Sequence, residues 1–275
     1  MPELPEVQTV VDDLKAAGFE GAVVTRADIF WPKTICGLSA AAFQRKIKGL
    51  TIDAIRRRGK FIVFDFYDDG HLLIHLRMSG RLLIKTTGLP RLKHEHVVLN
   101  FKDRQLRFHD TRKFGRFYLV RDANQILGRL GPEPLDSSFR AAGFATMLKN
   151  RGCMMKPLLL DQSFIAGLGN IYVDEALWDA RIHPQKMAAE LDALETKSLY
   201  HAIRKVLRRG LKNMGTTLGS GQTNFFSIAG HTGRNREQLK VFRRNGLACP
   251  RCRMVIKRIV VGQRSTHVCE KCQKM

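Results

Sequence analysis

Phe61-Ile62-Val63-Phe64-Asp65-Phe66 is a six-residue aromatic and β-branched run, and Leu72-Leu73-Ile74-His75-Leu76 follows it closely. Both are too short for packed helices, and Asp68-Asp69-Gly70 between them is a turn signal. His96-Val97-Val98-Leu99-Asn100-Phe101 and Phe117-Tyr118-Leu119-Val120 repeat the pattern, with Lys102-Asp103 as another turn. Many short strands and few helices from Val23 to Val120 predict an antiparallel β-sandwich or flattened barrel. Arginines gather at the strand ends in Arg56-Arg57-Arg58-Gly59-Lys60, Arg77-Met78-Ser79-Gly80-Arg81 and Arg112-Lys113-Phe114-Gly115-Arg116. Such charges ordinarily form a solvated face. Met78 and Phe114 on cationic loops either suit insertion between bases or are buried in the core.

Upstream, Met1-Pro2-Glu3-Leu4-Pro5-Glu6-Val7 opens a helix. Leu4, Val7, Val11 and Leu14 recur at helical spacing with Val10 beside them, Pro5 suits a first turn, and Gly18 is the stop. A helix packed by that face holds the N-terminus in place. A small residue after Met1 permits its removal, which turns Pro2 into a secondary α-amine. With a pKa of about 7.7–8.0, roughly a quarter to two fifths of such an amine is free base at pH 7.5. Pro2 is therefore a candidate nucleophile and Glu3 a candidate proton carrier. An ordinary capped helix with a dangling end accounts for the same seven residues.

Downstream, Gly131-Pro132-Glu133-Pro134 through Ser138 reads as a linker, and the character beyond it is helical: Phe139 to Asn150, Asp174 to Trp178 and Leu191 to Asn213. Gly167-Leu168-Gly169-Asn170 lies between two of these helices. Its N–H groups suit a phosphate, and a tight interhelical turn explains the glycines equally well. Gly215 to Gln238, rich in Gly, Ser, Thr and Asn, reads as a mobile surface loop. Cys249-Pro-Arg-Cys252, sixteen residues and Cys269-Glu-Lys-Cys272 have the spacing of a tetrahedral zinc site. One structural Zn²⁺ per chain should hold a hairpin from Met254 to Val261 and back through Ser265 to Val268, with Gly262-Gln263-Arg264 at its tip. The expected domains are 1–130, a linker 131–138, 139–222 and 223–275.

Lys+Arg number 47 against 25 Asp+Glu, a formal charge of +22, and residues 201–275 alone carry +15. That balance calls for a polyanionic partner, nucleic acid or an acidic membrane surface. No apolar run spans a bilayer, and Met1-Pro2-Glu3 does not begin a secretory signal, so the cytoplasm is the expected location and a monomer the expected state.

In order, the motifs are Pro2-Glu-Leu-Pro-Glu-Val7, Lys60, His75-Leu-Arg-Met78-Ser-Gly80, Asp110-Thr-Arg112-Lys-Phe114-Gly115, Gly131-Pro-Glu-Pro134, Gly167-Leu-Gly-Asn170-Ile-Tyr-Val-Asp-Glu175 and the four-cysteine hairpin with Gln263-Arg264. Together, over the whole chain, they strongly resemble the bacterial formamidopyrimidine-DNA glycosylases. The resemblance implies an α+β multidomain protein: an N-terminal antiparallel β-sandwich with an N-terminal helix, a helix–two-turn–helix domain and a zinc-finger hairpin. It implies double-stranded DNA carrying oxidised purines or abasic sites as partner, lying across the cleft between the two halves. The implied reaction is base excision through a Schiff base on Pro2, then β- and δ-elimination. By the same carry-over Glu3 handles protons at the sugar, Lys60 assists elimination, and Arg264 grips phosphates and takes part in δ-elimination. His75 belongs to the DNA-binding set; His94, Arg151 and Asn170 match phosphate-binding positions. Met78, Arg112 and Phe114 match the residues that fill the vacated stack. Asn224-Phe225-Phe226-Ser227 and Asn235 depart from the family pattern within the loop that caps the lesion. An endonuclease VIII-like enzyme should open Pro-Glu-Gly-Pro-Glu, and Leu4 argues against it. A non-catalytic DNA-binding relative should lack Pro2, Glu3 or Lys60, and all three are present.

Overall fold

Alternating apolar residues build two sheets, and one amphipathic helix belongs to the core they share. In the computed structural model, all residues except 68, 69, 150, 220–224 and 229 are described. The chain forms two compact units, Met1–Arg129 with Asn213–Arg234, and Leu130–Lys212 with Asn235–Met275. The first contains α1 (Leu4–Ala16), β1 (Arg26–Ile29), β2 (Ile35–Cys36), α2 (Ala40–Ile47), β3 (Ile52–Arg58), β4 (Phe61–Phe66), β5 (Gly70–His75), β6 (Arg81–Thr86), β7 (Glu95–Asn100), β8 (Arg104–His109), β9 (Arg116–Val120) and α3 (Asn124–Leu127). The second contains α4 (Ala141–Leu148), α5 (Met155–Leu160), α6 (Asn170–Ala180), α7 (Ala193–Lys212), β10 (Lys257–Val261) and β11 (Arg264–Val268).

In the first unit the sheet orders are β1-β7-β8-β6 and β2-β9-β5-β4-β3. Ile62, Phe64, Leu72 and Phe117 from one and Val97, Leu99, Leu106 and Phe108 from the other lie in one buried cluster, which makes the pair a sandwich. Its strands pair antiparallel, apart from the two-residue parallel pairing of β2 with β9. The turn read at Asp68-Asp69 lies outside the described residues. Arg56, Arg57 and Arg58 are the last three residues of β3, at the strand end; Arg56 grips the Asp65 carboxylate through Nε at 2.6 Å and a second nitrogen at 3.0 Å.

Val7, Val10, Val11 and Leu14 of α1 enter the same core, and burying each such side chain contributes about 1.5–3 kcal/mol. The helix begins at Leu4 with Pro5 in its first turn and stops before Gly18, at φ +68°. It is buried beyond its apolar stripe, for Glu6 and Thr9 are buried too. The stretch read as a mobile surface loop bonds to two acidic side chains of this helix. Glu6 Oε1 accepts the Thr216 N–H at 2.7 Å, and Asp13 Oδ2 accepts that of Ile228 at 2.7 Å. Phe225 and Ile228 pack against the sandwich core. Of the departing tetrapeptide Asn224 lies outside the described residues, as does the boundary drawn between 222 and 223.

In the second unit, residues 131–138 are bonded to their neighbours: Gly131 N–H donates to Gln162 O at 2.9 Å, and Arg204 donates to Pro134 O and Asp136 O at 2.8 and 3.0 Å. The β10–β11 hairpin pairs from Lys257–Val268 to Val261–Arg264. Its turn is Gly262-Gln263, both at positive φ (+54° and +59°), as a two-residue hairpin turn requires. Arg264 is therefore the exposed first residue of the return strand, not part of the tip. No helix among the described residues is long and apolar enough to cross a membrane.

Candidate functional site

Pro2 is buried and Glu3 is 3 % exposed, so the segment before α1 is held and does not dangle. Glu6 explains how: its Oε2 accepts the Glu3 N–H at 2.9 Å while its Oε1 accepts that of Thr216. Gly215, at φ +80°, allows this approach, because a Cβ there would lie 2.8 Å from Glu6 Cγ. α1 packs on β3 and β4, whose connecting turn carries Lys60, 5 % exposed. Arg57 fixes that turn to the helix, donating from Nε to Gln8 Oε1 at 3.1 Å and from Nη1 to Gly59 O at 3.0 Å. Lys60 precedes Phe61, which pairs with His75 in the sheet.

His75 has its pKa pushed down to about 3, first by burial and then by the charges of Arg77 and Lys60. Its Nδ1 accepts the Arg77 N–H at 3.0 Å, so the neutral ring carries its proton on Nε2. Burial also lowers His96 and His109. At His75 an unfolded chain binds a proton below about pH 6.5 and the folded one does not, so its share of the stability is full above that pH and falls as pH drops toward 3. His75 alone contributes up to about 1.4 kcal/mol per pH unit across that window. Its imidazole NMR signals should stay fixed from pH 8 to pH 5; an ordinary titration near 6.5 would refute this.

His94, at φ +70°, sits with its ring 5.8 Å from that of His109. Met78 and Phe114 are 41 % and 44 % exposed, so the core-packing alternative does not hold for either. Arg112 lies over the Phe114 ring, 4.8 Å from its centre.

In the second unit, Arg151 is exposed beyond α4 with its guanidinium 5.8 Å from the Phe164 ring centre. Gly169 caps α6, and Asn170 Nδ2 donates to Ser265 O at 2.9 Å, one residue from Arg264. The same carbonyl accepts from Lys156 Nζ at 3.0 Å. Lys156 pairs with Asp174 at 2.6 Å, both fully buried, and Asp174 Oδ2 accepts the His267 N–H at 2.9 Å. Glu175 receives the N–H groups of Lys240, Val241 and Phe242 at 2.8–3.0 Å and pairs with Arg209 at 2.9 Å. Sequence reasoning assigned no role to Lys156, Asp174, Glu175 or His267. The available signal was charge within apolar segments, since a buried charge must find a partner. Lys156, Asn170 and Asp174 hold the hairpin, and with it Arg264, against α5 and α6, while Glu175 holds residues 240–242 on α6.

The Sγ atoms of Cys249, Cys252, Cys269 and Cys272 all lie within 4.8 Å of one another, with 3.9 Å between Cys249 and Cys272 and 3.3 Å between Cys252 and Cys269. Disulfides need about 2.05 Å, whereas tetrahedral ligation at about 2.3 Å separates sulfurs by roughly 3.8 Å. Burial pushes Cys269 up to about 12. At Cys249 burial is outweighed by N–H donors from Arg251, Cys252 and the Trp178 indole, and its thiol comes down to about 6. One thiolate is thus prepared, and ionising all four requires a cation among them. Among the described residues this is the one such cluster, and it fits one zinc ion.

Three family models match: the formamidopyrimidine-DNA glycosylase N-terminal domain over residues 1–117, the formamidopyrimidine-DNA glycosylase H2TH domain over 130–221, and the zinc finger found in FPG and IleRS over 246–274. A formamidopyrimidine-DNA glycosylase of Protochlamydia amoebophila is 48 % identical over 275 residues, covering 100 % of both chains. One from Herpetosiphon aurantiacus is 43 % identical over 277 residues, covering 99 % of this chain and 100 % of its own. Among solved structures, Lactococcus lactis FPG (MutM) in complex with a Fapy-dG containing DNA superposes with a TM-score of 0.90 at 36 % identity, covering 99 % and 100 % of the two chains. MutM in complex with carbocyclic 8-oxo-G containing DNA gives 0.91 at 35 %, covering 100 % of each. Domain for domain and along its whole length, the chain belongs to the formamidopyrimidine-DNA glycosylase family.

Proposed function

We propose that this chain is a bifunctional DNA glycosylase and abasic-site lyase that removes oxidised purines, 8-oxoguanine and formamidopyrimidines, from double-stranded DNA. The observation that carries the reading is the anchored N-terminus: Pro2 buried ahead of a core-packed helix, with Glu6 holding the next residue's N–H. Once Met1 is removed, the Pro2 nitrogen attacks C1′ of the damaged nucleotide and the base departs with the C1′–N bond electrons. The amine then loses its proton and its lone pair opens the sugar, the C1′–O4′ bond breaking toward O4′, which takes a proton from Glu3. The cationic iminium left at C1′ is an electron sink, which acidifies the neighbouring sugar carbon and makes β- and then δ-elimination feasible. Glu3 handles protons at the sugar, Lys60 assists elimination, and Arg264 binds phosphate and takes part in δ-elimination. His75, with a donor Nε2–H at any pH above about 3, and His94, Arg151 and Asn170 contact phosphates. Met78, Arg112 and Phe114 occupy the space left by the flipped nucleotide. The zinc hairpin presents Arg264, and the +22 charge makes affinity fall with salt. Such a partner supports a location with the chromosome in the bacterial cytoplasm.

The test is one incubation of purified protein with duplexes containing 8-oxoguanine, formamidopyrimidine or an oxidised pyrimidine, with the cut ends analysed. The purine lesions should be excised first, leaving phosphate on both sides of the gap. Preferred cleavage at oxidised pyrimidines would point to endonuclease VIII-like specificity, and an uncut strand would overturn the assignment.

A further inference from the structure

Two connections cross between the sheets side by side. β5 continues through residues 76–80 into β6 of the other sheet, and β8 returns through residues 110–115 into β9. Because β5 pairs with β9 and β6 with β8, His75 lies opposite Arg116 and Arg81 opposite His109, and the crossovers leave the sandwich together. One carries Met78 and the other carries Arg112 and Phe114, all three exposed.

A single buried carboxylate joins them. Asp110 has no solvent exposure. Its Oδ1 accepts from the Ser79 hydroxyl at 2.5 Å and from Arg112 N–H at 3.2 Å, and its Oδ2 accepts from Gly115 N–H at 2.8 Å. Ser79 Oγ also lies 3.3 Å from the Arg112 N–H, so one hydroxyl and one carboxylate share that donor. The Asp110 backbone is held in turn, its N–H by His94 O at 2.9 Å and its carbonyl by His96 Nε2 at 2.8 Å. Beneath them, Gly80 and Gly115 close on the same Phe108 ring: a Cβ would meet it at 2.8 Å from Gly80 and at 2.2 Å from Gly115. Neither loop can slide without moving the other.

We propose that Asp110, with Ser79, is a positioning residue that fixes the register between the two crossovers, so that Met78, Arg112 and Phe114 enter DNA as one unit. Its effect is on opposite-base discrimination, exerted through Arg112 without touching DNA. A bidentate arginine contact to a base edge demands a set orientation. The Arg112 guanidinium takes its orientation from two anchors, the N–H held by Asp110 and Ser79 and the ring of Phe114. The inference rests on the reading of those three side chains as void fillers.

The experiment compares wild type, Arg112→Ala, Ser79→Ala, Ser79→Thr and the Ser79→Ala/Arg112→Ala double variant. kcat/KM for excision is measured opposite each of the four bases, with borohydride trapping on an abasic duplex and a thermal midpoint as controls. Arg112→Ala should level the four values. Ser79→Ala should lower the discrimination ratio roughly two- to tenfold, the size of one lost hydrogen bond, with trapping kept and the midpoint lowered by no more than about ten degrees. Ser79→Thr should restore the ratio, and the double variant should lose no more than Arg112→Ala alone. Asp110→Asn, which sets an amide among these donors, should lower the ratio further. An unchanged ratio in Ser79→Ala, losses that add in full in the double variant, or loss of trapping together with stability would each overturn the proposal. If Arg112→Ala itself leaves the four values unlevelled, the void-filling reading falls and this inference falls with it.

Discussion

Protein with one extra residue before Pro2 should form no borohydride-trappable adduct with lesion or abasic DNA, while Lys60→Ala should still form it. The reason lies in the nitrogen. An added residue converts the Pro2 amine into a peptide nitrogen with no lone pair to give and moves the free α-amine one residue out from the buried position; Lys60, on the turn between β3 and β4, is the rival side-chain amine. At pH 7.5 about a quarter to two fifths of an α-amine is free base, against roughly 0.1 % of an unperturbed lysine. Replacing one by the other therefore lowers the nucleophile fraction on the order of a few hundredfold. α1 should not unfold on extension, because its stability comes from Val7, Val10, Val11 and Leu14 in the core and Met1 is half exposed. Circular dichroism and the thermal midpoint of the extended protein check this. Pro2→Gly should keep partial trapping, since a primary amine still condenses. Peptide mapping of the reduced adduct decides the matter. A sugar fragment on Lys60, or full trapping by protein with a verified extension, would sink the Pro2 mechanism.

Zinc removal should have the second largest effect. Cys269→Ser leaves three thiols about a divalent ion, and structural zinc contributes about 10–16 kcal/mol to folding in isolated finger peptides. A two-stranded hairpin has little stability without such support. Here Lys156, Asn170 and Asp174 add anchors, so the expected result is local: loss of amide protection over β10 and β11 with the sandwich intact. Losing the Arg264 contact alone should weaken DNA binding roughly ten- to hundredfold, as for one charged hydrogen bond. Fully active protein with less than one zinc per chain by elemental analysis would contradict this.

Features legible in the sequence depend on residues close along the chain. The zinc ligands come as two C-x₂-C pairs joined by one short hairpin, so spacing alone sets their geometry. α1 shows its apolar period, first-turn proline and terminal glycine within fifteen residues, from Leu4 to Gly18. The limits of β4 are legible because a central strand with Ile62, Val63 and Phe64 buried on both faces is an almost continuous apolar run, broken only by Asp65. β3 and β6 are edge strands, and their arginines and lysine pass for loop residues. β8 was hidden differently: Arg104-Gln-Leu-Arg-Phe-His109 looks solvated, yet Arg107 is buried and pairs with buried Glu95 at 3.0 Å.

Sequence by itself therefore determined the family, the zinc ligands, the helix behind Pro2 and the residue types proposed to meet DNA, since each is carried by short-range pattern. Tertiary structure alone decided how they are held. Glu6 meets Thr216 210 positions away, Lys156 meets Ser265 109 positions away, and Ser79 meets Asp110 across 31. Periodicity tells which face of an element leaves water. The partner a buried charge finds there depends on which strands and helices the fold brings alongside, and local pattern does not encode that.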